Sequence, residues 1–273
     1  MNVPEEGQGI GASLLPILEK LLFLSRCAKT RGWHYVIGWL HRITGIWLVI
    51  AMTAHIYNLS SASTPEDAKM KIPALPIFAF FAWASSLVAG FHALNGGRLI
   101  LYELFGNRND AAMVRWTFGL SVAYAAMAGF LMITKNQSAS ALFFWLTAFF
   151  AGALTAYAVA SRIWKSRHSA LWMIQRISGA FLLIAVLAYL LFSHLDPGAA
   201  DHVRSAVARM QDNVFTGIVL LALAAASLYH AGYGLFSITA DYIASRRARA
   251  GLTALIAAFI AVLVFFTFRI LSI

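Results

Sequence analysis

Two histidines, His92 and His230, lie in long apolar stretches whose local sequences resemble each other. A glycine follows each histidine by four positions, and a carboxylate follows by eleven, as Glu103 and Asp241. An imidazole inside an apolar segment is costly unless it has a partner, and imidazole is a common metal ligand. Two such rings in equivalent places favour one metal held from both sides. The alternative is a pair of buried histidines that bond to backbone or hydroxyl groups.

The two glycines, Gly96 and Gly234, indicate what kind of metal site this is. Residues four apart share one face of a helix, so each glycine removes side-chain bulk next to its histidine. Room for something large and flat between two histidines predicts haem. The chain has one cysteine and no Cys-x-x-Cys-His motif, so we expect a non-covalent haem of the b type.

The elements that must position these histidines are membrane-spanning helices. Hydrophobic residues make up 60% of the 273 positions and charged residues 12%, which does not describe a soluble domain. A helix needs roughly 20 residues to cross a hydrocarbon core of about 30 Å, and at least seven stretches are that long. They lie near 33–60, 73–104, 114–134, 140–163, 171–195, 212–242 and 251–271. The predicted fold class is all-α integral membrane, because a β-barrel would show short alternating segments.

An internal repeat relates the two halves of the chain. Residues 41–55 (HRITGIWLVIAMTAH) align without gaps on residues 175–189 (QRISGAFLLIAVLAY), 134 positions later, and the two histidines lie 138 positions apart. Three helices per repeat is an odd number, so an extra fourth helix is needed to restore the orientation. We therefore expect seven helices, arranged as two parallel three-helix repeats joined by one extra helix. The expected divisions are an N-terminal cytoplasmic or interfacial segment (1–32), the first repeat (33–135), the connecting helix (136–168) and the second repeat (169–273).

The net charge of +10 is better explained by membrane orientation than by binding to nucleic acid. With the N-terminus inside, twelve Lys and Arg residues lie on the cytoplasmic side and six on the other, as the positive-inside rule expects. A basic cytoplasmic face also suits the anionic headgroups of membrane lipids. We expect a multi-pass protein of the inner membrane of a prokaryote, with a cytoplasmic N-terminus.

These motifs together resemble the membrane anchor of succinate dehydrogenases and fumarate reductases, the succinate:quinone oxidoreductases. That anchor normally consists of two three-helix cytochrome b subunits, and the resemblance covers the first two helices of each repeat. A single chain that fuses the two subunits accounts for the extra helix, because joining them in like orientation requires one more crossing. The matching elements are LHRITG at 40–45, His92 with Gly96, Arg98 and Glu103, His230-Ala231 with Gly234, and Asp241-Tyr242.

The resemblance implies a role for each matched residue. His92 and His230 are expected to be the axial ligands of one haem b. The residues expected beside the haem propionates are His41, Arg42, Arg98 and Arg176. The residues expected to contact a quinone are Arg42, Thr44, Ser178, Asp241 and Tyr242, with the tyrosine donating a hydrogen bond to a quinone carbonyl. Many members carry a serine four residues before the arginine, where this chain has Gly38, so Thr44 or Ser178 is expected to substitute for it or the quinone to lie differently.

Some anchors of this family hold two haems, and two further histidines bear on that number. His55 and His194 lie near the outer ends of their predicted helices. Their distances from the matched arginines differ, at 13 and 18 residues. This difference favours histidines at the outer surface over ligands of a second haem.

The implied function is that of a haem-containing anchor that binds quinone and passes electrons between succinate or fumarate and the quinone pool. The chain has no nucleotide-binding loop and no set of cysteines for clusters, so separate flavoprotein and iron–sulfur subunits are expected as partners. The sequence leaves two alternatives. One is the cytochrome b anchor of a different oxidoreductase, and the other is a seven-helix transporter with parallel repeats, which predicts a more polar midplane.

Overall fold

The computed structural model of the protein describes residues 33–61, 76–106, 109–134, 141–164, 167–195 and 214–271. Across these ranges the chain is helical, which confirms the predicted all-α class. Its N-terminal segment, 1–32, lies outside the described residues. In the described ranges there are seven helices: α1 (Trp33–Ser61), α2 (Pro76–Leu104), α3 (Asp110–Thr134), α4 (Ala141–Ile163), α5 (Ala170–Leu195), α6 (Val214–Tyr242) and α7 (Arg246–Leu271).

Six of these helices, all except α2, are long and apolar enough to cross a membrane, as far as the described residues go. Helix α2 has 29 residues and is therefore about 43 Å long at 1.5 Å per residue. Its polar side chains face inward, since Asn95 and Arg98 are only 0% and 6% exposed. The lower hydropathy of α2 thus reflects what it buries in the bundle.

The outer surface of the bundle is apolar. Large side chains such as Leu154 on α4 and Phe265 on α7 are about two-thirds exposed. Soluble monomers rarely expose wide apolar patches, whereas a lipid-facing surface is expected to be apolar. Together with the six candidate spans, this surface identifies a multi-pass membrane protein.

Local sequence determines where three of the helices begin. Asn109, Ser169 and Ser245 precede α3, α5 and α7. The side-chain oxygen of each accepts a hydrogen bond from the backbone N–H three residues later, at 3.2, 3.3 and 3.4 Å. Capping of this kind satisfies donors that a helix start leaves unpaired.

Helices α1, α2, α5 and α6 form a ring at the centre of the bundle. Helix α1 packs against α2 and α6, and α5 packs against the same two helices. The contacts run antiparallel: Glu103 of α2 meets Arg176 of α5, and Gly97, earlier on α2, meets Leu183, later on α5. Because each neighbouring pair is antiparallel, α1 and α5 run in one direction and lie across the ring from each other. Helices α2 and α6 run in the opposite direction.

The remaining three helices pack outside this ring. Helix α3 lies against α2 and α5, and α7 lies in the corresponding place against α6 and α1. Helix α4 has no counterpart and packs against α5, with smaller contacts to α6 and α2. The ring therefore has similar surroundings on two sides, and α4 makes one side different.

Candidate functional site

His92 of α2 and His230 of α6 face each other across the centre of the ring. Their ring centroids are 6.4 Å apart and the ring planes are inclined at 87°. A histidine nitrogen lies about 2.0–2.1 Å from a bound transition metal, so two imidazoles that share one metal from opposite sides have centroids about 6 Å apart. The fold thus brings the predicted histidines together at a separation that suits a shared metal.

Each histidine is oriented by a side chain on the helix that precedes it. Nδ1 of His92 lies 3.0 Å from the carbonyl oxygen of His41 and 3.2 Å from Oγ1 of Thr44. Because a carbonyl only accepts, this contact assigns the proton to Nδ1 and leaves Nε2 with a free lone pair. In the second half, Oγ of Ser178 lies 3.5 Å from Nδ1 of His230. Metal-binding histidines are commonly oriented in this way through their other nitrogen.

Gly45 and Gly179 let the histidines approach the neighbouring helices, a role that the sequence motifs did not reveal. A Cβ added to Gly45 would lie 3.0 Å from Cε1 of His92, and one added to Gly179 would lie 3.0 Å from Cε1 of His230. The two glycines occupy equivalent positions of the aligned repeat. That equivalence was the available signal, but the contact partner is visible only in the fold.

The glycines that were predicted to leave room beside the histidines differ from each other. A Cβ added to Gly234 would meet nothing within 4 Å, so this side is open. A Cβ added to Gly96 would lie 3.7 Å from Cε1 of His41. The ring of His41 therefore covers the space beside Gly96.

We expect Gly45→Ala and Gly179→Ala each to destabilise the protein, because the added methyl group pushes the histidine ring or separates two packed helices. Overpacking of this kind typically costs about 1–3 kcal/mol. The measurement is the thermal unfolding midpoint of the detergent-purified protein. Gly119→Ala is the matched control, since a Cβ there meets nothing within 4 Å, and its midpoint should stay level or rise. Equal midpoints for all three variants would contradict the assignment of close contacts.

A cationic group of side chains lies beside the two histidines. The ring of His41 stacks on that of His92, with centroids 3.9 Å apart and planes inclined at 6°, and Nδ1 of His41 is buried with no hydrogen-bond partner among the described residues. Arg98 and Arg176 lie close enough for their charges to act on His41. Arg98 is buried, and its Nε donates a hydrogen bond of 2.8 Å to Oδ1 of Asn95. Two guanidinium groups beside an apolar centre suit a ligand that carries carboxylates.

Two ion pairs join the halves of the chain at one end of the ring. Nη2 of Arg42 lies 2.8 Å from Oδ2 of Asp241, and Nη2 of Arg176 lies 2.7 Å from Oε2 of Glu103. The arginines lie 134 positions apart and the carboxylates 138, the same offsets as in the repeat. The ion pair also adds Glu103 to the candidate site, whereas its motif alone had not assigned it a role.

The five residues expected to contact a quinone fall into two places. Arg42, Asp241 and Tyr242 lie together, with the guanidinium carbon of Arg42 5.7 Å from the ring centroid of Tyr242. Tyr242 is 52% exposed. Thr44 and Ser178 lie instead against the histidines, as described above.

At the opposite end of the ring, His55 of α1 contacts Tyr189 of α5. Nε2 of His55 lies 2.7 Å from the hydroxyl oxygen of Tyr189. These two residues are the last aligned pair of the repeat, and ten residues of helix place them about 15 Å from Gly45 and Gly179. The side chain of His194 lies outside the described residues, so its predicted place stays a prediction.

The donor set fits haem. Among the residues that the structure describes, no group of three or more His, Cys, Asp or Glu side chains is arranged to hold a metal ion. A porphyrin supplies the equatorial ligands of its iron and needs only axial ones from the protein, and two facing histidines provide these. The open space at Gly234 and the unpartnered Nδ1 of His41 are compatible with a large group that carries acceptors.

Comparison with known proteins identifies related sequences in both halves. A family model described as "Succinate dehydrogenase/Fumarate reductase transmembrane subunit" matches the chain twice, over residues 28–133 and 154–267. These segments cover more than half of the chain, and each contains one of the two facing histidines. No curated protein and no solved structure matches the chain.

Proposed function

The chain belongs to the succinate dehydrogenase/fumarate reductase transmembrane subunit family, and from this premise we propose that it is a haem b-containing anchor that binds quinone. It docks a flavoprotein subunit and an iron–sulfur subunit, and it serves electron transfer between succinate or fumarate and the quinone pool. The observation that carries the proposal is the facing pair His92 and His230, with centroids 6.4 Å apart. Family membership favours this function over a different cytochrome b anchor or a transporter.

We assign the axial positions of the haem iron to Nε2 of His92 and to His230. Thr44 and Ser178 hold these rings through Nδ1, so we assign them to ring orientation rather than to quinone contact. His41, Arg98 and Arg176 gather on one side of the pair and are assigned to the propionates. When bound, the haem supplies a one-electron redox centre whose potential depends on its ligands and on burial.

We propose a single haem. A second bis-histidine site would need an imidazole opposite His55, and the residue that occupies the equivalent position is Tyr189. Nε2 of His55 is already engaged with the Tyr189 hydroxyl at 2.7 Å. This contact argues against His55 as a ligand of a second haem, for which His55 and His194 were the candidates.

The quinone is assigned to Arg42, Asp241 and Tyr242, at the end of the ring that carries the ion pairs. Arg42 is an N–H donor and Tyr242 an O–H donor, and quinone carbonyls are acceptors. Asp241, held by Arg42 at 2.8 Å, is an ionisable group next to these donors. Such a group is suited to supplying the protons that quinone reduction consumes.

We propose that the two halves are parallel repeats with a cytoplasmic N-terminus, so that the ion-pair end faces the cytoplasm. The equivalent ion pairs and the shared direction of α1 and α5 support the parallel arrangement. The excess of Lys and Arg on that side supports the orientation. The docking surface for the soluble subunits is then at the same end as the quinone.

The decisive test is purification of the tagged chain from its native membranes. We expect a flavoprotein and an iron–sulfur protein to co-purify, with succinate–quinone or quinol–fumarate activity and a b-type spectrum of one haem per chain. Recovery with a hydrogenase or formate dehydrogenase instead would contradict the proposal, as would a preparation without b-type absorbance.

A further inference from the structure

The two ion pairs define two equivalent places at the same end of the ring. We call the first the Arg42 site, formed by Gly38, Arg42, Asp241 and Tyr242. We call the second the Arg176 site, formed by Trp172, Arg176, Glu103 and Leu104. The repeat offsets of 134 and 138 relate Gly38 to Trp172 and Tyr242 to Leu104. The two sites thus share a guanidinium–carboxylate pair and differ in the two residues beside it.

The first difference lies one helical turn before each arginine. A Cβ added to Gly38 would have a single neighbour within 4 Å, Nη1 of Arg42 at 3.7 Å. At the equivalent place, the indole of Trp172 lies against Arg176, whose guanidinium carbon is 5.0 Å from the ring centroid. A flat ring against a guanidinium group is a favourable contact. Trp172 therefore fills a place next to Arg176 that has no side chain next to Arg42.

The second difference is how the two sites are covered. Trp172 and Leu104 pack against an apolar cluster that includes Val159 and Ile163. These two residues belong to α4, the helix without a counterpart, so nothing equivalent covers the Arg42 site through the repeat. The side chains of Arg176 and Glu103 are 26% and 35% exposed, against 39% and 49% for Arg42 and Asp241.

We propose that the fold contains two copies of one quinone-headgroup site, and that Trp172 closes the second while Gly38 keeps the first open. The indole of Trp172 occupies, against Arg176, the place that a flat quinone ring takes against Arg42. This inference rests on the proposed function, because it presupposes a quinone at the Arg42 site. It assigns Gly38 and Trp172 as the residues that restrict this end of the chain to one quinone.

The test exchanges these two residues in the intact complex, as Gly38→Trp and Trp172→Gly. The probe is a photoreactive azidobenzoquinone, and the measurement is the number of labels per chain and their positions by peptide mass spectrometry. We expect one label in the unaltered complex, on peptides of α1 and α6. Gly38→Trp should reduce that labelling at least tenfold, and Trp172→Gly should add labels on peptides of α2 and α5.

Trp164→Gly is the matched control, because Trp164 is 74% exposed at the end of α4 and its loss should leave the pattern unchanged. The haem spectrum and the unfolding midpoint report whether each variant folds. If Trp172→Gly does not fold, Trp172→Ala replaces it, and Gly38→Trp tests the first site separately.

The outcomes separate the inference from the function on which it rests. Labels on α1 and α6 that Gly38→Trp does not reduce would overturn the inference and leave quinone binding intact. So would labelling of α2 and α5 in the unaltered complex, or no new label once Trp172 is replaced in a folded variant. An unaltered complex that takes up no label would overturn both quinone binding and the inference.

Discussion

Replacing both His92 and His230 by alanine is expected to remove the b-type absorbance from the purified complex. The two imidazoles face each other with centroids 6.4 Å apart, and no other described side chains form a metal-binding group of three or more. Without them, a haem would keep only apolar contacts and propionate partners. The measurement is the reduced-minus-oxidised spectrum together with the haem content per chain, expected to fall at least tenfold.

The double change is the decisive variant because a third imidazole lies close by. The ring of His41 stacks on that of His92 at 3.9 Å, so a single substitution leaves two imidazoles near the centre. We expect each single variant to retain some haem with an altered spectrum. His168→Ala is the control, because His168 is exposed and stacks on Trp172, and its spectrum should be unchanged. Unchanged absorbance in the folded double variant would refute the haem assignment.

Tyr242→Phe is expected to slow succinate–quinone reduction by about 10- to 100-fold while leaving succinate oxidation with an artificial dye unchanged. The substitution keeps the ring against Arg42 and removes only the hydroxyl group. Loss of one hydrogen bond to a bound ligand group costs about 1–3 kcal/mol, and each 1.4 kcal/mol is about tenfold. The dye accepts electrons before the quinone site, so the ratio of the two activities isolates the quinone step.

Tyr157→Phe is the matched control, since Tyr157 is 71% exposed on α4 and is predicted to face lipid. Its quinone and dye activities should both match those of the unaltered complex. If Tyr242→Phe lowered both activities equally, the tyrosine would act in assembly of the complex. If it lowered neither, the tyrosine hydroxyl would have no part in quinone reduction.

The sequence predicted the helices well because membrane spans leave a strong local signal. A run of about 20 apolar residues has few alternatives in a bilayer, and seven such runs correspond to the seven described helices. The paired histidines were equally visible, because an imidazole at that depth stands out against an apolar background. Even the reason for a weaker signal in α2 was local, since its Asn95 and Arg98 are the polar residues that the bundle buries.

The contacts between halves were not predictable in the same way. The sequence placed Thr44 and Ser178 with the quinone, whereas the fold places both beside the histidines. The pairing of Arg42 with Asp241, and of Arg176 with Glu103, depends on which helices are neighbours in the ring. Spacing along one helix gives depth and face, but it does not say which helix lies opposite.

The sequence by itself thus determined the fold class, the spans, the repeat and the two histidines, because hydropathy, helical spacing and self-alignment are properties of single segments. The tertiary structure decided that Gly45 and Gly179 touch those histidines and that Tyr189 meets His55. It also decided that α4 and Trp172 cover one of two equivalent ion pairs. These are contacts between distant segments, and only the packing of the helices fixes which side chains meet.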